Sequence, residues 1–138
     1  MALFHLIYMS SLVAGDANAL PAILEVAVRN NKQRNITGML LYSDGNLMQV
    51  LEGEKDVVLK TFRAIEQDSR HRGCVNLHQD EIASRDFASW SMGFRHITKA
   101  DFARLPVAEH VFKAGQDTIA LRSRAGDALT VLKAFAGN

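Results

Sequence analysis

A glutamine set in the middle of an apolar run is the first residue of this chain that asks for a chemical explanation. Gln49 lies within Asn46-Leu-Met-Gln-Val-Leu51. Once buried, its amide needs an acceptor for the NH2 and a donor for the carbonyl. That double requirement points to a ligand. Tyr8 stands inside a second apolar run, residues 3–10. A phenol beside a carboxamide makes a hydrogen-bond pair with directional freedom, because the hydroxyl donates or accepts and the amide presents either end. Asn30 and Asn31 add two more amides, Trp90 and Met92 lie two residues apart, and Arg70-His71 sets a cation beside an imidazole. Taken singly, each has an ordinary explanation. Tyr8 would be a packed aromatic, and Gln49 would be satisfied by backbone. Asn30-Asn31 would close a helix, Trp90 and Met92 would fill a core, and Arg70-His71 would suit the negative end of a helix dipole.

The elements that must hold these residues follow from periodicity. Residues 3–10 read as a strand. Asp16 or Asn18 caps a helix whose first turn tolerates Pro21, and Leu20, Ile23, Leu24, Ala27 and Val28 form its apolar stripe. That helix is expected to end at Asn30-Asn31. Residues 36–42 and 46–51 are strands joined by Ser43-Asp44-Gly45, a strong hairpin signal because a primed turn needs positive φ. Leu47, Gln49 and Leu51 share one face and Met48 and Val50 the other. Both faces are apolar, which predicts a central strand covered on both sides. A second helix spans 54–69, with Val58, Phe62 and Ile65 on one stripe. Residues 75–83 and 89–94 read as two further strands, the last with Trp90 and Met92 on one face. The order β-α-β-β-α-β-β predicts an α+β, ferredoxin-like fold with a five-stranded mixed sheet and two helices on one face. Residues 97–138 are helical in pattern. They include a short helix at 101–105 and a segment from about Asp117 bearing Leu129, Leu132 and Phe135, expected on the other face. The expected division is 1–96 for the α+β unit and 97–138 for a helical extension.

Composition narrows the classes. The chain has 138 residues, is 48% apolar, and carries 16 basic against 15 acidic side chains. A nucleic-acid binder usually shows a clustered basic excess, and the small Arg122/Arg124 spot reads as a solvated helix face. The single cysteine, Cys74, excludes an intramolecular disulfide and a multi-thiolate metal site, and suits a reduced, cytoplasmic setting. His5, His78, His96 and His110 lack metal-ligand spacing, so no metal site is expected. Neither a signal peptide nor a membrane-length apolar run is expected.

Several motifs, in order, give this sequence a specific resemblance. They are Leu-Ile-Tyr8-x-Ser10; Arg29-Asn-Asn31 followed by Ile36-Thr-Gly38; Gln49-Val-Leu-Glu-Gly53; Asp68-x-Arg70-His71; and Arg85-x-Phe-x-x-Trp90-Ser-Met92-Gly. Over residues 3 to about 94 the chain resembles the BLUF domains, blue-light sensors that use FAD, in their short stand-alone form.

The resemblance implies a flavin ring held between the two helices against Ile23 and Ile65. Asn31 would bond the polar edge of the ring with Asn30 beside it. Arg70 and His71 would lie near its outer end and the ribityl-phosphate chain, with Arg29 a further phosphate candidate. Gln49 would bridge the flavin to Tyr8, with Ser10, Trp90 and Met92 completing the photochemical group and either Trp90 or Met92 inside. Tyr8 would act as transient electron and proton donor, Gln49 as the relay whose amide changes its hydrogen-bond pattern and reddens the absorption. Two departures stand out: Leu47 replaces a frequent phenylalanine, and Ala64 sits where some relatives carry a basic residue. With no enzymatic output domain expected, the output would be light-dependent association with an effector protein or with itself, as a dimer or higher oligomer, and not with nucleic acid or membrane. Two enzymatic alternatives compete. An acylphosphatase-like enzyme would use Arg29 and Asn31 and be colourless. A flavin redox enzyme would oxidise reduced nicotinamide in the dark.

Overall fold

The computed structural model describes residues 2–12, 20–106, 108, 112 and 125–136. The expected caps Asp16 and Asn18, the Arg122/Arg124 spot, His110 and most of the segment from Asp117 lie outside the described residues. Among those described, the elements are β1 (Leu3–Leu12), α1 (Leu20–Gln33), β2 (Thr37–Ser43), β3 (Asn46–Glu54), α2 (Lys55–Glu66), β4 (His71–Glu81), β5 (Gly93–His96), α3 (Lys99–Arg104) and α4 (Ala125–Ala136). The sheet order is β4-β1-β3-β2-β5. Neighbours are antiparallel except β2 and β5, which run parallel. This is the ferredoxin-like arrangement with a fifth strand added at the β2 edge, and β3 is its centre.

Local chemistry explains the joints. Asp44 and Gly45 both take positive φ, 50° and 85°, as the tight β2–β3 turn requires. Helix α1 runs two residues beyond the expected stop at Asn30-Asn31. It ends in paired bonds from Ile36 N to Asn31 O, 2.9 Å, and Asn35 N to Lys32 O, 3.4 Å. Asn35 sits at φ 55°, so the left-handed closing residue is an asparagine, four positions later than the motif suggested. Helix α3 has a capping box in which Thr98 and Asp101 satisfy each other's backbone N–H.

The strands divide two cores. Tyr8, Leu47 and Leu51 face α1 and α2 with Ile23 and Phe62. Ile7, Met48 and Val50 face the opposite way and pack against Val131, Leu132 and Phe135 of α4, with Leu129 only partly buried there. The alternation expected for β3 is therefore observed, and Gln49 is buried on the helix side.

The approach to β5 differs from expectation. Trp90 and Met92 precede the strand, which starts at Gly93. Distant anchors fix this segment. Fully buried Glu52, on the α4 side of β3, accepts from Thr37 Oγ1 at 2.8 Å, Asp86 N at 2.7 Å and Phe87 N at 3.1 Å. The Arg85 guanidinium donates to Glu52 O, Thr37 Oγ1 and Asn35 O. Gly38 N then donates to Trp90 O at 3.1 Å. Phe87 lies in the core behind the sheet and Met92 in the core before it, so the segment passes from one face to the other.

Candidate functional site

Tyr8 and Gln49 are direct partners across β1 and β3, and both side chains point toward the helices. Tyr8 is 1% exposed and Gln49 5%. The phenol donates to Gln49 Oε1 in a short bond, and Gln49 Nε2 donates to Met92 Sδ at 3.1 Å. Both ends of the buried amide are thus occupied, one by a donor and the other by a weak acceptor. Burial, helped by the nearby Cys74 and Asp68, raises the Tyr8 pKa well above its ordinary value, so the hydroxyl keeps its proton in the resting protein. Met92 is 8% exposed while Trp90 is 39% exposed; the structure places methionine, not tryptophan, against Gln49. They do not share a strand face, because Trp90 belongs to the segment pinned at Gly38 and Glu52.

A cleft between α1 and α2 opens above this pair. Its walls include Ile23, Val26, Ala27 and Asn30 from α1 and Thr61, Ala64 and Ile65 from α2; Leu40, Gln49 and Leu51 form part of its floor. Asn31 also lines it, and its Nδ2 donates to Ser91 O at 3.0 Å. At the rim, Arg70 forks onto Asp68, with Nη2 to Oδ2 at 2.7 Å and Nε to Oδ1 at 3.0 Å. Those bonds hold the Asp68 carboxyl down at about 2 and raise Arg70 further. His71 Nδ1 pairs with Ser10 Oγ at 2.9 Å, and burial lowers its pKa. Ser10 is buried and does not itself line the cleft, whereas its partner His71 does. Cys74, on the same strand as His71, is half-buried, and burial followed by the Glu66 charge pushes its thiol up to about 11.

Arg29 is the expected residue that the structure does not bring in: it is exposed on α1 and is not among the cleft walls. The Arg29–Asn31 pair that a phosphatase-like chemistry would use is therefore not gathered at the cleft. Sequence reasoning missed Arg34 and Thr61, and quoted Asp68 only as part of a motif. Helical spacing held the signal for two of them, since Arg34 is four residues from Asn30 and Thr61 four from Ile65. Among the described residues no three His, Cys, Asp or Glu side chains gather as a metal site.

Aliphatic walls, amides at one edge and cations at the rim suit a flat, partly polar ring with a charged tail. A family model described as BLUF, sensors of blue-light using FAD, matches residues 3–93. The chain belongs to the BLUF family. Its cofactor is accordingly FAD and its role the sensing of blue light. This BLUF protein is 42% identical over 74 residues to the photoactivated adenylate cyclase subunit beta of Euglena longa, a match covering 53% of this chain and 9% of that protein. It is 37% identical over 70 residues to the blue light- and temperature-regulated antirepressor BluF of Escherichia coli (strain K12), covering 51% of this chain and 17% of that one. The matched stretch is thus a small part of these curated relatives. The solved dark-state structure of BlrB, a BLUF protein, superposes with a TM-score of 0.72 at 28% identity, covering 92% of this chain and 96% of that chain. No helix among the described residues is long and apolar enough to cross a membrane.

Proposed function

We propose that light sensing in this BLUF protein runs through the relay Tyr8–Gln49–Met92 and leaves the molecule as a change in protein association. One observation carries the reading: a buried amide held between a phenol that donates and a thioether that accepts. FAD, when bound, absorbs blue light and in its excited state accepts an electron and a proton. Asn30, Asn31 and Gln49 would hold the polar edge of its ring, Ile23 and Ile65 its faces, and Arg70 and His71 its outer end. Tyr8 supplies both, the proton through its hydroxyl, which points at Gln49 Oε1. Gln49 passes the proton on and its amide turns; recombination then returns the electron and the proton to Tyr8. A turned amide presents Nε2 to the Tyr8 oxygen, which accepts. Met92 Sδ, an acceptor with no proton to give, then loses its donor. The segment from Arg85 to Met92 thereby becomes a two-state element whose balance the amide sets. Return is slow because the network is buried and must be rebuilt as a unit.

Residues 1–96 form the sensor in this reading, and 97–138 a helical extension laid on the far face of the sheet. The output is light-dependent binding to an effector protein or to a further copy of the chain, as a dimer or larger oligomer, without catalysis by the chain itself. A balanced charge and a single thiol fit a cytoplasmic protein that engages neither nucleic acid nor membrane. The test is a dark-minus-light absorption spectrum of wild type and Tyr8→Phe. Wild type shows a red shift that decays in darkness, whereas Tyr8→Phe keeps FAD and shows no shift. A normal photocycle in Tyr8→Phe refutes the assigned role. Size-exclusion elution and effector pull-down, each in darkness and under blue light, test the output; identical behaviour in both conditions refutes it.

A further inference from the structure

We infer that Arg34, closing α1, is the residue through which this cleft grips the flavin phosphate, and so the one that sets its preference for phosphorylated flavins over riboflavin. The inference rests on the flavin reading above. Apart from Tyr8, four titratable side chains line the cleft: Arg34, Asp68, Arg70 and His71. Arg70 is committed to Asp68 through three side-chain contacts of 2.7–3.2 Å, and Asp68 also accepts from Arg70 N at 2.9 Å. The pair is bidentate and its charges cancel at the rim. His71 is held neutral by burial and has its Nδ1 taken by Ser10.

Arg34 differs from all of these. It is exposed, and its Nη1 reaches across the cleft to the Thr61 hydroxyl at 3.4 Å, a long contact to a neutral acceptor that a better acceptor displaces at little cost. Thr61 keeps its own bond to Val57 O at 2.8 Å whatever Arg34 does. Among the described residues no carboxylate pairs with Arg34. Its charge is therefore the uncompensated one among the residues lining the cleft. Ala64 offers no cation from the facing helix. The C-terminal end of α1 would by itself repel an anion, since its carbonyls carry the negative end of the helix dipole. A guanidinium at that position reverses the local sign and offers a planar fork of donors matched to phosphate oxygens.

The experiment strips the full-length chain of flavin and refills it with riboflavin, FMN or FAD, following flavin fluorescence. Wild type, R34A and R34K are titrated at low and high salt. Wild type should favour FMN and FAD over riboflavin by roughly tenfold or more, the scale of one charge-assisted contact, and the preference should shrink as salt screens the rim. In R34A the FMN-to-riboflavin ratio should fall to near one, with R34K intermediate because it keeps the charge without the fork. An unchanged ratio in R34A overturns the inference, and so does an equal loss for all three flavins, which would mean that Arg34 only shapes the cleft. If wild type binds no flavin at all, this inference and the proposed function fall together. If wild type shows its light-induced shift but R34A keeps the phosphate preference, this inference alone falls.

Discussion

Replacing Glu52 with glutamine should loosen the strap that brings Met92 to Gln49, and the structure sets the size of the effect. The Glu52 carboxylate takes three hydrogen bonds, from Thr37 Oγ1 and from the backbone N–H groups of Asp86 and Phe87. One backbone donor points at each carboxylate oxygen. Whichever way a glutamine amide turns, its NH2 therefore meets a backbone N–H. Bonds to a charged group contribute ~1.5–3 kcal/mol and neutral ones ~0.5–1.5 kcal/mol, so one lost and two weakened bonds come to about 4–5 kcal/mol. For 138 residues the entropy of unfolding is about 0.3 kcal/mol per kelvin, so the melting midpoint should fall by about 15 °C. Circular-dichroism melts in darkness with saturating FAD measure it. Glu54→Gln, an exposed change on the same strand, is the control and should stay within about 2 °C. A Glu52→Gln protein that melts with the control would show that the carboxylate does not anchor the segment.

Gly38→Ala should be severely destabilising, because a Cβ there collides with the Val50 carbonyl and comes within 3.3 Å of Met92 Cε. Backbone cannot yield as a side-chain tip does, and a cost of about 3 kcal/mol or more should appear as low soluble yield and an early melt; a wild-type melt would contradict this. Acidification should also destabilise the fold. Burial lowers the pKa of both His5 and His71. His78 adds to the effect at His5 while Asp86 and Asp80 oppose it, and at His71 Asp68 opposes and Arg70 adds. The unfolded chain then binds more protons than the folded one just below pH 6.5, so stability falls as pH drops through that window, by at most ~1.4 kcal/mol per pH unit for each proton taken up. Thermal melts from pH 8 to 5 check the sign, and a midpoint that holds steady or rises on acidification would contradict it.

Much of this site could be read from the chain because local patterns encode it. The Asp44-Gly45 turn sets the β2–β3 register, and that register with the period of two puts Gln49 on the helix side beside Tyr8. The Ile23 and Ile65 stripes point two helices at the same place. Residues held by distant partners were not legible. Ser89 to Phe94 reads as a strand by alternation, yet Glu52 and Gly38 hold its first part out of the sheet. Asn30-Asn31 reads as a helix end, yet Asn31 spends its side chain on Ser91 O and the helix continues until Asn35 can adopt positive φ. Charge pairing was legible only in part: Asp68 occupies Arg70 from two residues away, but that Arg34 stands uncompensated at the same rim depends on where the turn after α1 meets the cleft.

The lone thiol of Cys74 doubles as a stopwatch. With its acidity pushed up to about 11, only about one molecule in ten thousand carries the reactive thiolate at pH 7, against about 3% for a cysteine in an unfolded chain. An alkylating dye should therefore wait for the β4 edge to open, then mark each chain once. Comparing labelling rates in darkness and under blue light would time how often that edge parts, with no added reporter.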